Sequence, residues 1–288
     1  MNDLQAFVWQ AYDLAQRTVS KYSTKYSRQD FTQHQLITLN LIRIKCDWTY
    51  RQTIEWFRWM TPLRDHLGLD SMPDHTTLYH AFDRMSLTIG RLLLEESLES
   101  FDLSGFSGID ATGFERSVAS QYYAKTAKMN LQSIKTTVLA DLEQNVVIDA
   151  HFTTTRKHDT QIGPELLENH PYLSVLAADK GYDDQSFRDQ LRDDNIRPLI
   201  RHCEASPVHE AANARMNDED YHKRSNNESV FSAIKRKYGD RLRSRTWYRQ
   251  FRELILKMVV HNIDQLVKEH LFIATVSWFL FRPKSMSR

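Results

Sequence analysis

The chain is sparing with cysteine, proline and glycine: 2, 7 and 8 residues respectively among 288. Cys46 and Cys203 are too few and too far apart for a disulfide framework or a zinc site. They read as reduced, buried thiols of a cytosolic protein. Net charge of one sign is missing as well, with 38 basic side chains against 37 acidic. That excludes a whole-chain basic footprint, so any charge meant for nucleic acid must be local. Long apolar runs are absent. The most apolar stretch, LFIATVSWFLF from Leu271 to Phe281, falls short of the ~20 residues that span a bilayer. MNDLQAFVWQ at the N-terminus lacks the basic and apolar segments of a signal peptide, and no membrane partner is expected. No repeat or low-complexity linker is visible. What is present is the composition of an ordinary globular protein, 41% hydrophobic and 26% charged.

The first hundred residues read as helices. Leu36, Leu39, Ile42 and Ile44 recur near helical spacing, as do Ile54, Phe57 and Met60. Pro62 and Pro73 punctuate the region, and Asp74 or Thr76 is placed to cap a helix carrying Leu78, Phe82 and Met85. The pattern then changes. FDLSGFSGID ends as a short apolar strand at Asp110. SIKTTVLADLE and NVVIDAHFTTT, rich in Val, Ile and Thr, flank a turn at Gln144 and Asn145. A helix (DTQIGPELLENH), a buried strand (LSVLAAD), a second helix (DDQSFRDQLRDDN) and a short strand (RPLIR) follow, and helices over 221–238 and 247–269 close the chain. Three strands and then alternating helix and strand predict an α/β fold, a mixed sheet flanked by helices behind an all-helical N-terminal region.

Two aspartates stand where strands end: Asp110 in SGIDATGFE and Asp179 in VLAADKGYDD. Functional groups gather beyond strand ends in open α/β sheets, and carboxylates there suit a hard cation such as Mg²⁺. Asp149, Asp159, Asp183 and Asp184 compete for the same reading, and an Asp after a strand also serves as a simple turn former. His158–Asp159 invites a catalytic role, but Asp159 or Thr160 as a helix cap explains it better.

The stretch YHKRSNNESVFSAIKRKYG, Tyr221 to Gly239, keeps one acid among its bases. A helix advances about 100° per residue, which puts Tyr221, Arg224, Glu228 and Lys235 within an arc of about 60°. Val230, Phe231, Ile234 and Tyr238 form an adjacent apolar stripe. An i,i+4 pair accounts for Arg224 and Glu228 but leaves Tyr221 and Lys235 unexplained. Downstream, Arg236, Lys237, Arg241, Arg243, Arg245, Arg249 and Arg252 form a local basic concentration and predict salt-dependent DNA binding. Trp247 and Tyr248 read as core aromatics, with base stacking the alternative.

Tyr, two residues, Arg, three residues, Glu, six residues, Lys resembles the YREK signature of insertion-sequence DDE transposases, with every spacing kept. GIDATGFE and LAADKGYDD are similar to that family's first and second Asp regions. The resemblance covers about 105–265. It implies an RNase H-like catalytic domain over 101–270, a helical DNA-binding or assembly region over 1–100, and an apolar-basic tail over 271–288. It further implies that Asp110, Asp179 and Glu228 hold two Mg²⁺ ions (Mn²⁺ may substitute). Tyr221, Arg224 and Lys235, with Lys223, Arg236 and Lys237, would engage double-stranded DNA at the transposon ends and target. The working form would be a homodimer on DNA, in the cytoplasm at the nucleoid. The interval from Asp179 to Glu228 is short for the large β insertion of some relatives, and the choice between a hairpin and another second-strand mechanism stays open. Alternatives are a catalytically inactive, domesticated DNA-binding regulator and an RNase H-like nuclease.

Overall fold

The computed structural model describes residues 3–26, 28–116, 133–155, 157–168, 170–203 and 206–280, with backbone alone for residues 159 and 271–280. Six helices come first: α1 (Asp3–Thr18), α2 (Gln33–Lys45), α3 (Tyr50–Trp59), α4 (Thr61–His66), α5 (His75–Arg84) and α6 (Leu87–Glu96). Their starts are written in the sequence. Thr32 with Gln35 and Thr49 with Gln52 make reciprocal capping boxes. Asp74 and Ser86 cap α5 and α6 by accepting backbone N–H groups.

A mixed sheet follows, with β1 (Phe106–Arg116), β2 (Ser133–Asp141), β3 (Val146–Thr153), β4 (Val175–Ala178), β5 (Arg197–Ile200) and β6 (Arg241–Leu242). Strand order is β3-β2-β1-β4-β5, with β2 and β3 antiparallel and β4 and β5 parallel to their neighbours. Asn145 supplies the left-handed residue of the β2–β3 turn, at φ 54°. Helices α7 (Asp159–Leu167) and α8 (Gln185–Asp193) precede and follow β4. Then come α9 (Pro207–Ala214), α10 (Asp218–His222), α11 (Ser225–Tyr238) and α12 (Trp247–Leu280). This is the expected RNase H-like mixed sheet, flanked by helices and preceded by a helical region.

Three local expectations are corrected. β1 does not end at Asp110 but runs on to Arg116, because β2 pairs with it from Ser107 through Glu115 and β6 joins it at Glu115 and Arg116. The helix expected over 221–238 is divided. Tyr221 lies on α10, while Arg224 is the N-cap of α11, and the Arg224 and Asn227 N–H groups bond three residues back rather than four. The last helix extends past 269 to Leu280. The described residues between Asp179 and Glu228 form short helices and β5, with no inserted sheet.

The sheet is covered on both faces. On one, Ile109, Leu139, Ile148 and Leu176 pack with α7 and α8. On the other, Phe114, Ile134, Val138 and Phe152 join a larger core with Val230, Phe231 and Ile234 of α11 and the apolar face of α12. That same core takes in Phe7, Leu39, Phe57, Leu78 and Leu93 from the N-terminal helices. Beside it Asp264 of α12, 4% exposed, accepts from Tyr238 Oη at 2.6 Å and pairs with Lys237 and with Lys45 of α2. A buried carboxylate must be paired to be tolerated, so these contacts lock α2, α11 and α12 together. Both cysteines are free, but Cys203 is exposed rather than buried.

Candidate active site

β1 is the central strand, and its register decides the site. Ile109 pairs with Ala178 at the end of the β1–β4 ladder, so Asp110 and Asp179 are the next residues on adjacent parallel strands. β2 occupies one edge of β1 along its length, which leaves β4 and β6 to share the other. Residues 110–114 of that edge lie between the two short strands. Asp179 caps the single 3₁₀ turn that follows β4, accepting from Gly181 N–H at 2.9 Å. Asp110 accepts from Ala111 N–H at 2.8 Å.

The third acid arrives on α11, which crosses the face of β1 that carries Gly108, Asp110, Thr112 and Phe114. Asn227, buried, sits directly on Gly108. Glu228, one residue on, therefore reaches the level of Asp110. Helical spacing then aligns Glu228, Phe231, Ser232, Lys235 and Arg236 along one side. Together with Asp110, Ala111, Thr112 and Asp240 they line a cleft of about 540 Å³.

The electrostatics match that convergence. Asp110's pKa is raised, first by burial, then by the carboxylates of Asp179 and Glu228; the Ala111 N–H bond and Arg224 partly offset these. Asp179 and Glu228 are thus both near enough to act on Asp110. Oxygen-only donors of this kind fit a hard divalent cation. Among the described residues no three His, Cys, Asp or Glu stand at common ligating distance. Glu228 instead faces Arg224 at 3.6 Å with its side chain 64% exposed. An exposed pair of that type contributes under ~1 kcal/mol, so turning Glu228 toward Asp110 costs little.

The bases expected at DNA are distributed more widely than the helical arc implied. Lys235 and Arg236 line the cleft, and Lys235 Nζ donates to Thr112 Oγ1 at 2.6 Å. Arg224 is beside Glu228. Tyr221, a helix earlier, packs against the small core of Phe106, Leu142, Ala177 and Leu199, and its ring lies under Arg201 at 4.4 Å and Arg224 at 5.8 Å. Lys223 pairs with Glu143 at 3.1 Å and Lys237 with Asp264 at 3.4 Å, both away from the cleft lining. The competing acids have structural partners. Asp149 holds Arg91, Asp183 holds Arg188 and the Cys203 N–H, and Asp184 caps α8. His158, not Asp159, is the N-cap residue of α7 and makes no side-chain cap bond; its ring bonds Thr160. The Asp159 side chain lies outside the described residues.

Charge counting along the sequence therefore overstates the free basic surface. Arg241, Arg243, Arg249 and Arg252 pair with Glu115, Asp47 and Asp83. Arg236→Ala should lower the slope of log K against log salt for DNA binding by about 1, whereas Arg249→Ala should leave the slope nearly unchanged and lower the melting temperature. Fluorescence anisotropy across a salt series separates the two. Trp247 and Tyr248 are exposed, Trp247 by 53%, against the expectation of burial. Thr112, Ser232, Asn227 and Asp240 escaped the sequence reading. The alternation of β1 from Asp110 is the signal that finds Thr112.

The family model for the transposase DDE domain matches residues 106–263, more than half of the chain. The chain belongs to the DDE transposase family, whose members act on DNA and generally use divalent metals. No curated protein and no solved structure matches it. Among the described residues no helix is long and apolar enough to cross a membrane.

Proposed function

We propose that the protein cuts the ends of an insertion sequence and joins the freed 3′-OH to target DNA, with Asp110, Asp179 and Glu228 as its catalytic acids. The observation that carries this is geometric: Asp110 and Asp179 are the next residues after paired positions on adjacent parallel strands, and Glu228 lines the same cleft as Asp110. Asp110, Asp179 and Glu228 would together hold two Mg²⁺ ions, which would supply Lewis acidity and an activated nucleophile at a phosphodiester.

The protein's own groups do the rest. Lys235 and Arg236 bring positive charge to the cleft that Asp110 also lines, where a backbone phosphate would enter. Arg224, released from Glu228, offers a planar fork to the same phosphate. Tyr221 serves as a platform that orients Arg224 rather than as a separate phosphate ligand. Water attacks at the element's end, and the 3′-OH left behind then attacks target DNA in the same cleft. Two copies of the chain would hold the two ends together.

The experiment uses linear DNA carrying the element's ends, with Mg²⁺ or Mn²⁺. Glu228→Gln should cut more than ~100-fold slower than the parent, exceeding the loss typical of a metal's outer partners. Equal cutting by Glu228→Gln would remove Glu228 from the site. A parent that binds these ends and never cuts them would favour the regulator, and a preference for RNA–DNA hybrids the nuclease.

A further inference from the structure

Thr112 has no role in the reading above, yet it lines the cleft. β1 alternates its side chains, so Asp110, Thr112 and Phe114 project to one face. Lys235 is fixed against two of them: its ammonium donates to Thr112 Oγ1 at 2.6 Å and stands 5.2 Å from the centre of the Phe114 ring. Phe114 is fully buried, and Lys257 approaches the same ring at 5.7 Å. The aromatic support under Lys235 is therefore rigid.

The consequence concerns the hydroxyl hydrogen. An ammonium has donors and no acceptor, so Thr112 Oγ1 must accept from Lys235. The hydroxyl keeps one hydrogen of its own to give. Among the described residues no acceptor takes it. The cross-strand neighbour is Thr136, and no bond joins the two hydroxyls. Lys235 thus sets Thr112 as a donor whose hydrogen is unclaimed, two residues from Asp110 on the same face of the same strand.

We propose that Thr112 is a further catalytic residue, donating its hydroxyl hydrogen to a non-bridging oxygen of the phosphodiester held beside Asp110. Lys235 then has two tasks: it supplies charge, and it orients the Thr112 donor. The inference rests on the proposed reading of the cleft as a phosphodiester site. A hydroxyl placed before the substrate arrives needs no reorganisation when negative charge grows on the phosphoryl oxygens, and such donors are worth about 10²–10³ in rate.

The test compares Thr112→Val, which keeps the shape and loses the hydroxyl, with Thr112→Ser, which keeps the hydroxyl and loses the methyl. Glu228→Gln runs beside them on the same end DNA. Thr112→Val should lose about 100-fold in kcat with KM for DNA nearly unchanged, and Thr112→Ser should recover most of the rate. Sulfur at one non-bridging oxygen of the scissile phosphate should slow the parent and Thr112→Ser more than Thr112→Val, since Thr112→Val no longer makes the bond that sulfur weakens. If Thr112→Val cuts like the parent while Glu228→Gln does not, the Thr112 role is overturned and the site stands. If Thr112→Ser is as slow as Thr112→Val, the methyl matters and the donor role falls. If Thr112→Val fails to fold, the sulfur effect in Thr112→Ser decides: equal rates with oxygen and with either sulfur isomer overturn the proposal. If Glu228→Gln cuts like the parent, the cleft reading fails and takes this proposal with it.

Discussion

Asp110→Asn, freed of metal by EDTA, should be more stable than the parent at neutral pH by about 0.5–2 kcal/mol, the size of a common single stabilising substitution. It should also cut DNA more than ~100-fold slower, beyond what a metal's outer partners cost. The two effects have one cause. Burial, and after it the negative charges of Asp179 and Glu228, disfavour the ionised form of Asp110. A carboxyl that holds its proton more tightly folded than unfolded contributes its full stability below the ordinary carboxylate pKa of about 4. That contribution is lost as pH rises through the raised folded value. Asparagine has no proton to lose. The difference between the two proteins should therefore be large at neutral pH and shrink toward zero as the solution is acidified below the carboxylate range. Adding Mg²⁺ should reverse the order. A ligand at a hundred times its Kd stabilises the folded state by about 2.7 kcal/mol, and only the parent offers the carboxylate. Thermal melts with EDTA and with Mg²⁺, each at two pH values, check all four corners. A parent that Mg²⁺ fails to stabilise would count against metal binding at Asp110.

Gly108→Ala should do more damage than its single methyl suggests. A Cβ at position 108 would lie 2.4 Å from Asn227 Nδ2 and 2.8 Å from Leu142 Cδ2. Leu142 ends in a methyl that can turn aside, but Asn227 is wedged between β1 and its own helix. α11 must therefore lift off the sheet. Overpacking of this type costs about 1–3 kcal/mol, and the activity loss should be larger still. Asn227 is adjacent to Glu228, so the lift moves the third acid away from Asp110, and a misplacement of ~1 Å costs on the order of 100-fold. The second substitution Asn227→Ala should restore both stability and cutting in the Gly108→Ala background, because it clears the crowded atoms. It forfeits no hydrogen bond from Nδ2, which has no partner. Failure of that rescue, measured by chemical denaturation and end cleavage, would mean that Gly108 matters for another reason.

The three proposed acids carry local signals, but Asp149, Asp159, Asp183 and Asp184 share the aspartate signal, and only the family resemblance singles the three out. Asp110 and Asp179 follow apolar strand cores, and Glu228 sits at helical spacing from Lys235. The strand cores of β2, β3, β4 and β5 were legible for the same reason. Where the reading slipped, the deciding partner lies far off in sequence. β1 passes Asp110 because β2 and β6 pair with its second half. Lys223 and Lys237 turn from the cleft because Glu143 and Asp264 stand elsewhere to receive them. Nothing in KRKYG says that one lysine lines a cleft while the next-but-one faces a buried aspartate. Short elements were also invisible. α9, α10 and β6 are too brief to develop a period, and the change of hydrogen-bonding pattern before α11 leaves the spacing of Tyr221 and Arg224 intact while moving Tyr221 to another helix. Trp247 defeats the expectation that large aromatics bury, since it starts α12 at the surface with Tyr248 and Phe251 against its edges.

The shared core of the first six helices and α12 also sets a timetable for the newborn chain. Leu254, Ile255, Met258 and Val259 of α12 complete the apolar interior around Phe7, Leu39 and Leu93, but they leave the ribosome long after α1 to α6. At ~5–20 residues per second, the opening helices wait roughly 10–50 s for that partner. Until it arrives they lack much of the interior that would hold them, and Glu228 too has only just emerged. A ribosome stalled before α12 would thus display neither a settled helical region nor a working cleft. The helical region thus settles only once α12 has been made, so the two regions mature together.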